Sequence, residues 1–297
     1  MEKPLVIVVT GTSRGVGKGI VQVLAKQQLN RPLIIYATSR SGASPNIQPS
    51  PPNQVHHAKL DTCDPSSIQA LIHLLLEHHP AIDILINNAA VSNGYRESPA
   101  YAAETVNNNY AGTRDVCATF LSDAKMSTNP GARIVNLTSG YNALSTYGAA
   151  VQTRFRTANE VSDIDGLAED YVRDERQGQD AQQEAGWGSG ARSYKVSKAL
   201  INALTIVLAQ QHPGVLVNSC CPGWTDTDMG RQANGTPPKT AEEGARTAVR
   251  LAIGDLGPGG DEDGGLGRES ESISGRFYEN DNIVVPGWGK AKLWLDT

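Results

Sequence analysis

The segment Thr10-Gly11-Thr12-Ser13-Arg14-Gly15-Val16-Gly17 follows directly on the apolar run Leu5-Val6-Ile7-Val8-Val9 and leads into an amphipathic stretch over 17–29. An apolar run, a glycine turn and a helix in that order open a βαβ unit. Such units build a parallel sheet with helices on both faces, which accounts for strands as apolar as this one. The pattern continues downstream. Apolar runs at 33–37, 55–60, 82–86, 134–137 and 215–220 alternate with helical patterns over 66–78, 102–126, 193–211 and 241–253. The predicted fold is therefore α/β, a doubly wound parallel sheet of the Rossmann kind, in a single domain over 1–297.

Three segments interrupt the alternation. Residues 41–54 are rich in Ser, Pro and Asn and read as a loop. Residues 151–190 carry nine acidic and four basic side chains, with helix-like patches but little apolar periodicity, and read as a helical insertion. Residues 254–275 combine eight glycines with Asp261-Glu262-Asp263 and read as a mobile surface loop.

Charge and cysteine usage exclude several function classes. With 26 basic and 31 acidic side chains the net charge is −5, and no basic patch fit to neutralise several phosphates is visible. Nucleic-acid binding is not expected. No run of 18 apolar residues and no charged-then-apolar leader occurs, so neither a membrane span nor a secretory signal is expected. Cys63, Cys117, Cys220 and Cys221 form no disulfide framework; they read as buried thiols in a reducing compartment, the cytoplasm.

The glycine segment is a G-x-x-x-G-x-G variant of the dinucleotide fingerprint. Its glycines allow a tight turn and close approach to a pyrophosphate, and the helix that follows offers free N–H groups. Chance supplies such spacing about 0.3 times in a chain this rich in glycine, so the position after a strand carries the reading. The end of the second strand then chooses the cofactor. An NAD site wants a carboxylate there for the ribose 2′-OH, but this chain has Ala37-Thr38-Ser39-Arg40. Arg40, with Arg14 before Gly15, would clamp a 2′-phosphate, so NADP(H) is favoured over NAD.

Tyr194-Lys195-Val196-Ser197-Lys198 places a phenol and an ammonium four residues apart, on one face of a helix. A cation beside the phenol is expected to lower its pKa from ~10 toward neutrality, as general acid–base work needs. This pair too is weak alone. Conjunction makes the case: Thr138-Ser139-Gly140, Asn87-Asn88-Ala89-Ala90 and Cys221-Pro222-Gly223-Trp224 each end a strand, on the edge where parallel sheets carry their sites.

On these motifs, with Asn109-x-x-Gly112, the chain resembles the short-chain dehydrogenase/reductase family, and within it the single-chain carbonyl reductases. Ser139 and Tyr194 stand 55 residues apart, a longer separation than in most members, which resembles the helical insertion of carbonyl reductases. The resemblance implies a catalytic set of Ser139, Tyr194, Lys198 and Asn109. Tyr194 would protonate a carbonyl oxygen, Lys198 would hold ribose hydroxyls, Ser139 would hydrogen-bond the carbonyl, and Asn109 would hold a relay water. Gly11, Ser13, Arg14, Gly15, Val16, Gly17 and Arg40 would bind the cofactor. So would Asp61 at the adenine and Asn88 at the adenine-side ribose. Pro222, Gly223, Thr225 and Thr227 would cover the carboxamide. Tyr141 and Trp224 are candidate pocket walls.

Metal ligation is not expected, because His56, His57, His73, His78 and His79 lack ligand spacing with one another or with the cysteines. No Gly-x-Ser-x-Gly elbow surrounds Ser139, which argues against a serine hydrolase. The reading is NADPH-dependent reduction of a small ketone or aldehyde. Its rivals are NAD-dependent oxidation of a secondary alcohol and a non-catalytic NADP-binding redox sensor, which would lack the Tyr or the Lys. The acidic insertion, placed before Ser193-Tyr194, is expected to oppose self-association and keep the protein monomeric.

Overall fold

A computed structural model describes residues 2–44, 46–93, 96–254, 273–279, 284–285 and 287–297. β1 (Leu5–Val9) is buried along its whole length, as a central strand covered on both faces must be. On one side it pairs in parallel with β2 (Leu33–Ser39), which pairs with the edge strand β3 (Gln54–Lys59). On the other side follow β4 (Ile84–Asn87), β5 (Arg133–Leu137), β6 (Leu216–Cys220) and β7 (Phe277–Glu279), all parallel. β8 (Lys290–Lys292) closes the far edge, antiparallel to β7. The chain runs outward from β1 to β3 and returns to the opposite side of β1 at β4. The connections after β1 and β4 therefore diverge, opening a crevice at the carboxyl edge.

Alternation along the strands sorts the core into two faces. Ile7 and Val9 pack with Ile20, Leu24, Ala245 and Val249, from α1 (Gly15–Ala25) and α9 (Ala241–Ile253). Val6 and Val8 belong to the opposite face, with α2 (Pro65–His78), α4 (Gly112–Ser122) and α8 (Ser193–Gln211). The helix expected over 102–126 is in fact three pieces. α3 (Pro99–Val106) starts earlier, capped by Ser98 with Pro99 at its first position. A π-turn at Asn107–Ala111 then joins it to α4, and such turns recur at functional sites.

The insertion corrects the expectation of weak periodicity. It forms α5 (Ala149–Thr157), α6 (Val161–Arg176) and α7 (Gln179–Glu184). Within α6, Ile164, Leu167, Ala168 and Tyr171 are buried at positions i, i+3, i+4 and i+7, a full stripe that packs against α8 and α3. The acidic outer face had masked it. An aromatic chain extends the core beneath: Tyr171 meets Trp187 at 5.4 Å, Tyr147 meets Phe155 at 5.7 Å, and Phe155 meets Trp294 at 5.4 Å. Such pairs add about 0.5–1.5 kcal/mol each beyond burial. β7 and β8 were not foreseen. Of the loop expected over 254–275, residues 255–272 lie outside the described residues. Among the described residues no helix is long and apolar enough to cross a membrane.

Candidate active site

The glycine segment turns sharply between β1 and α1. Gly11 has φ +70°, and a side chain at Gly17 would strike the Gly11 carbonyl and the Asn88 amide, both 2.3 Å from its Cβ. Thr10 Oγ1 accepts hydrogen bonds from the backbone N–H groups of Asn88 (3.0 Å) and Ala89 (2.9 Å). Asn88 Nδ2 donates to the carbonyls of Thr10 and Gly11, each at 3.0 Å. The side-chain amide of Asn88 thus braces the glycine loop. α1 starts at Arg14 with no side-chain cap and no acid in its first turn, so its N–H groups and positive end face the crevice. An anionic pyrophosphate fits such an end.

Beside it lies a cavity of about 340 Å³ lined by Arg14, Gly15, Lys18, Gln22, Thr227 and Asp228 among others. On either side of Arg14 and Gly15, Ser13 is exposed and Val16 half-buried. Arg14 is not free: Nη1 pairs with Asp228 Oδ2 at 2.9 Å, both side chains well exposed. Arg40 is exposed just past β2, where no carboxylate stands. Asp61 is half-buried after β3, and its Oδ1 accepts from the Cys63 N–H at 3.0 Å, a local turn that leads into α2.

Ser139, Tyr194 and Lys198 come together at the ends of β5 and α8. Ser139 is buried just beyond β5, and its Oγ accepts from the Tyr141 N–H at 3.2 Å. Lys198 is buried with its ammonium 5.7 Å from the centroid of the Tyr194 ring. Burial lowers the Lys198 pKa to about 8, against the raising influence of Cys221 and Cys220. The Tyr194 phenol moves up, not down. Burial and the neighbouring Cys221 thiol raise its pKa, and a hydrogen bond with Ser139 opposes them. This corrects the expectation of a phenol drawn toward neutrality. Lys198 lies by the ring, and burial of the hydroxyl is the largest influence on it.

Asn109 sits on the π-turn with no exposed surface. Its Oδ1 accepts from the Val91 N–H (2.8 Å), and its Nδ2 donates to the Val91 carbonyl and to Ser197 Oγ, both at 3.0 Å. The side chain thus ties the segment after β4 to α8, and both its N–H donations go to protein atoms.

The segment after β6 carries Pro222, Gly223, Thr225 and Thr227 toward the glycine loop. Thr227 Cγ2 lies 3.4 Å from where a Gly15 Cβ would be. Cys221, part of the run that ends β6 but given no role of its own from the sequence, anchors this corner. Its Sγ accepts from the N–H groups of Gly140 (3.1 Å) and Gly223 (3.3 Å). Lys239, also missed, is buried beneath Gly223, and burial lowers its pKa. Of the pocket-wall candidates, Tyr141 is 69% exposed beside Ser139. Trp224 is half-buried and turned into its own loop, Nε1 donating to the Gly230 carbonyl at 2.8 Å. Cys221 belongs to the Cys221-Pro222-Gly223-Trp224 run that ends β6, whereas Lys239 stands in no recognisable motif. Among the described residues no group of three His, Cys, Asp or Glu is placed to hold a metal.

Residues 5–152 match the family described as short chain dehydrogenase. The chain is 32% identical to carbonyl reductase (NADPH) 1 of Mus musculus over 262 residues, which span 84% of this chain and 90% of that protein. It is 30% identical to carbonyl reductase (NADPH) 1 of Sus scrofa over 298 residues, 96% of this chain and 94% of that one. Its fold is similar to that of salutaridine reductase from Papaver somniferum, with TM-score 0.71 and 23% identity over 94% of this chain and all of the other.

Proposed function

Because this chain belongs to the short-chain dehydrogenase family, we propose that it reduces a small ketone or aldehyde to an alcohol with NADPH, Tyr194 giving the proton. One observation carries the reading. The buried Ser139 at the end of β5 and the Tyr194 phenol of α8 come together, with the buried Lys198 ammonium 5.7 Å from the Tyr194 ring centroid. A phenol so placed can give its proton to a carbonyl oxygen as hydride arrives.

When bound, the dinucleotide supplies the hydride. The uncapped start of α1 and the glycine turn hold its pyrophosphate, and the 222–227 segment covers the nicotinamide end. Arg40 and Arg14 take the 2′-phosphate. Arg14 must leave Asp228 to do so, which is a favourable exchange. An exposed ion pair is worth about 0–1 kcal/mol, and a charge-assisted bond to phosphate about 1.5–3 kcal/mol.

Ser139 Oγ donates to the substrate carbonyl oxygen and sets it against the Tyr194 hydroxyl. Tyr194 passes its proton to that oxygen as negative charge develops there. Lys198, with its pKa near 8, is charged at neutral pH yet close to releasing a proton, so it can restore the phenol. Asn109 keeps α8 and the segment after β4 in register around them. Tyr141 borders the mouth.

The protein acts as a monomer on this reading. α6 lies against α8, and its acidic outer side would meet its own copy in a symmetric contact there. Four free thiols favour a reducing compartment, the cytoplasm. Following NADPH and NADH oxidation over a panel of quinones, dicarbonyls and aryl ketones tests the function. NADPH-dependent turnover of at least one carbonyl is expected. Tight NADPH binding with no turnover would leave the redox-sensor reading, and a preference for NAD with secondary alcohols would reverse the direction.

A further inference from the structure

α8 begins without a cap of its own. Arg192, at the N-cap position, provides no side-chain hydrogen bond to the helix, and the first turn holds no acid. The cap comes from 95 residues away. Glu97 Oε2 accepts from the backbone N–H of Arg192 at 2.7 Å and of Ser193 at 3.0 Å, and Oε1 accepts from the Ser193 hydroxyl. A carboxylate there meets both the unpaired N–H groups and the positive end of the helix. The Arg192 guanidinium does not compete for it. It reaches Thr146 Oγ1 at 3.1 Å and lies 4.8 Å over the Tyr147 ring. From the insertion, the buried Tyr171 hydroxyl stands 3.2 Å from Ser193 Oγ. The next turn of α6 brings the buried Glu175, whose carboxyl is held up by burial and by Glu97.

Tyr194 is the residue after Ser193, whereas Ser139 stands on a different element at the end of β5. We propose that Glu97 is a positioning residue for the reaction: its carboxylate, with Tyr171 behind it, fixes the first turn of α8 and so sets the Tyr194 hydroxyl against Ser139. The segment that carries Glu97 is also fastened at Val91 by Asn109, so it grips α8 twice, at Ser197 through Asn109 and at Ser193 directly. The inference rests on Tyr194 being the proton donor. A shift of about 1 Å at a reacting group can cost on the order of 100-fold in rate, so a frayed first turn would slow chemistry without touching the cofactor site.

The test compares Glu97→Ala, Glu97→Gln and Glu97→Asp in the full chain, with a carbonyl from the panel above that the wild type reduces. Glu97→Ala is expected to lower kcat about ten-fold or more, with KM moving less than about three-fold and NADPH affinity, read by nicotinamide fluorescence, unchanged. Glu97→Gln, which keeps an acceptor, is expected to recover most of kcat. A kcat within two-fold of wild type in Glu97→Ala overturns the proposal, as does a loss that Gln does not rescue. Hydrogen exchange reads the same claim with no substrate. The amides of Arg192 and Ser193 should exchange about ten-fold faster in Glu97→Ala while the rest of α8 is unchanged, and unaltered exchange overturns the proposal. Absence of any substrate for the wild type would instead count against the functional reading. Should Glu97→Ala fail to fold, Glu97→Asp draws the carboxylate back by one methylene. It should then lower kcat at least about three-fold, and an unchanged kcat overturns the proposal.

Discussion

The Lys198 ammonium donates a 2.9 Å hydrogen bond to the Leu137 carbonyl, which pins α8 to the last residue of β5, two residues before Ser139. The strand that presents Ser139 and the helix that presents Tyr194 are thus joined by the third member of the set. The bond also holds the ammonium in a buried place, where desolvation brings its pKa down to about 8.

A pH dependence follows. The Lys198 pKa is lowered from its usual 10.5, so the amine is protonated below about pH 8 and neutral above. The Tyr194 pKa is raised, so the phenol keeps its proton through that range. If the charged amine is needed, kcat/KM should be flat below about pH 8 and fall above it, since that ratio reports groups of the free enzyme. Lys198→Arg should move the fall to higher pH at lower rate. A fall left in place in that variant would assign it to another group.

Cofactor choice can be read at the two arginines. Arg40→Ala with Arg14→Ala should weaken NADPH about ten-fold or more relative to NADH, because only NADPH offers a 2′-phosphate. Asp228→Ala, which frees Arg14, should tighten NADPH and leave NADH alone. Titration of both nucleotides checks this, and equal weakening of the two would make the arginines ordinary surface charges.

The brace formed by Asn88 makes a separate prediction. Asn88→Ala removes two hydrogen bonds from the glycine loop, worth about 1 kcal/mol each. NADPH and NADH should then weaken alike, about ten-fold, with a lower melting temperature. Loss of affinity with no change in melting would return Asn88 to direct contact with the nucleotide.

How legible these parts were depended on the range over which each is determined. The glycine turn after β1 and the Tyr194–Lys198 spacing are local, written in a few consecutive residues, and so could be read. Ser139 needed only the end of an apolar run. Glu97, Lys239 and the Asn88 brace were illegible because their partners lie far along the chain, and nothing near them in sequence announces the contact. β7 and β8, three residues each, are too short to show a period and exist by pairing at the sheet edge. In α6 the charges outnumber the apolar stripe, so its amphipathic pattern was hidden by composition. The phenol pKa was misread because a neighbouring cation is visible in sequence and burial is not.

Oligomeric state tests the insertion. Light scattering on a size-exclusion column should give the mass of one chain, 31.6 kDa, at micromolar concentration. A stable species of twice that mass would mean that α6 leaves a usable interface.

The proton donor is the centre of the account, and Tyr194→Phe examines it most directly, since only the hydroxyl is lost. Steady-state turnover of a carbonyl that the wild type reduces should fall about 10²–10⁴-fold, the usual worth of general acid catalysis, while NADPH affinity stays within about two-fold. Turnover within a few-fold of wild type, with NADPH bound as tightly, would contradict the assignment of Tyr194 and the mechanism built on it.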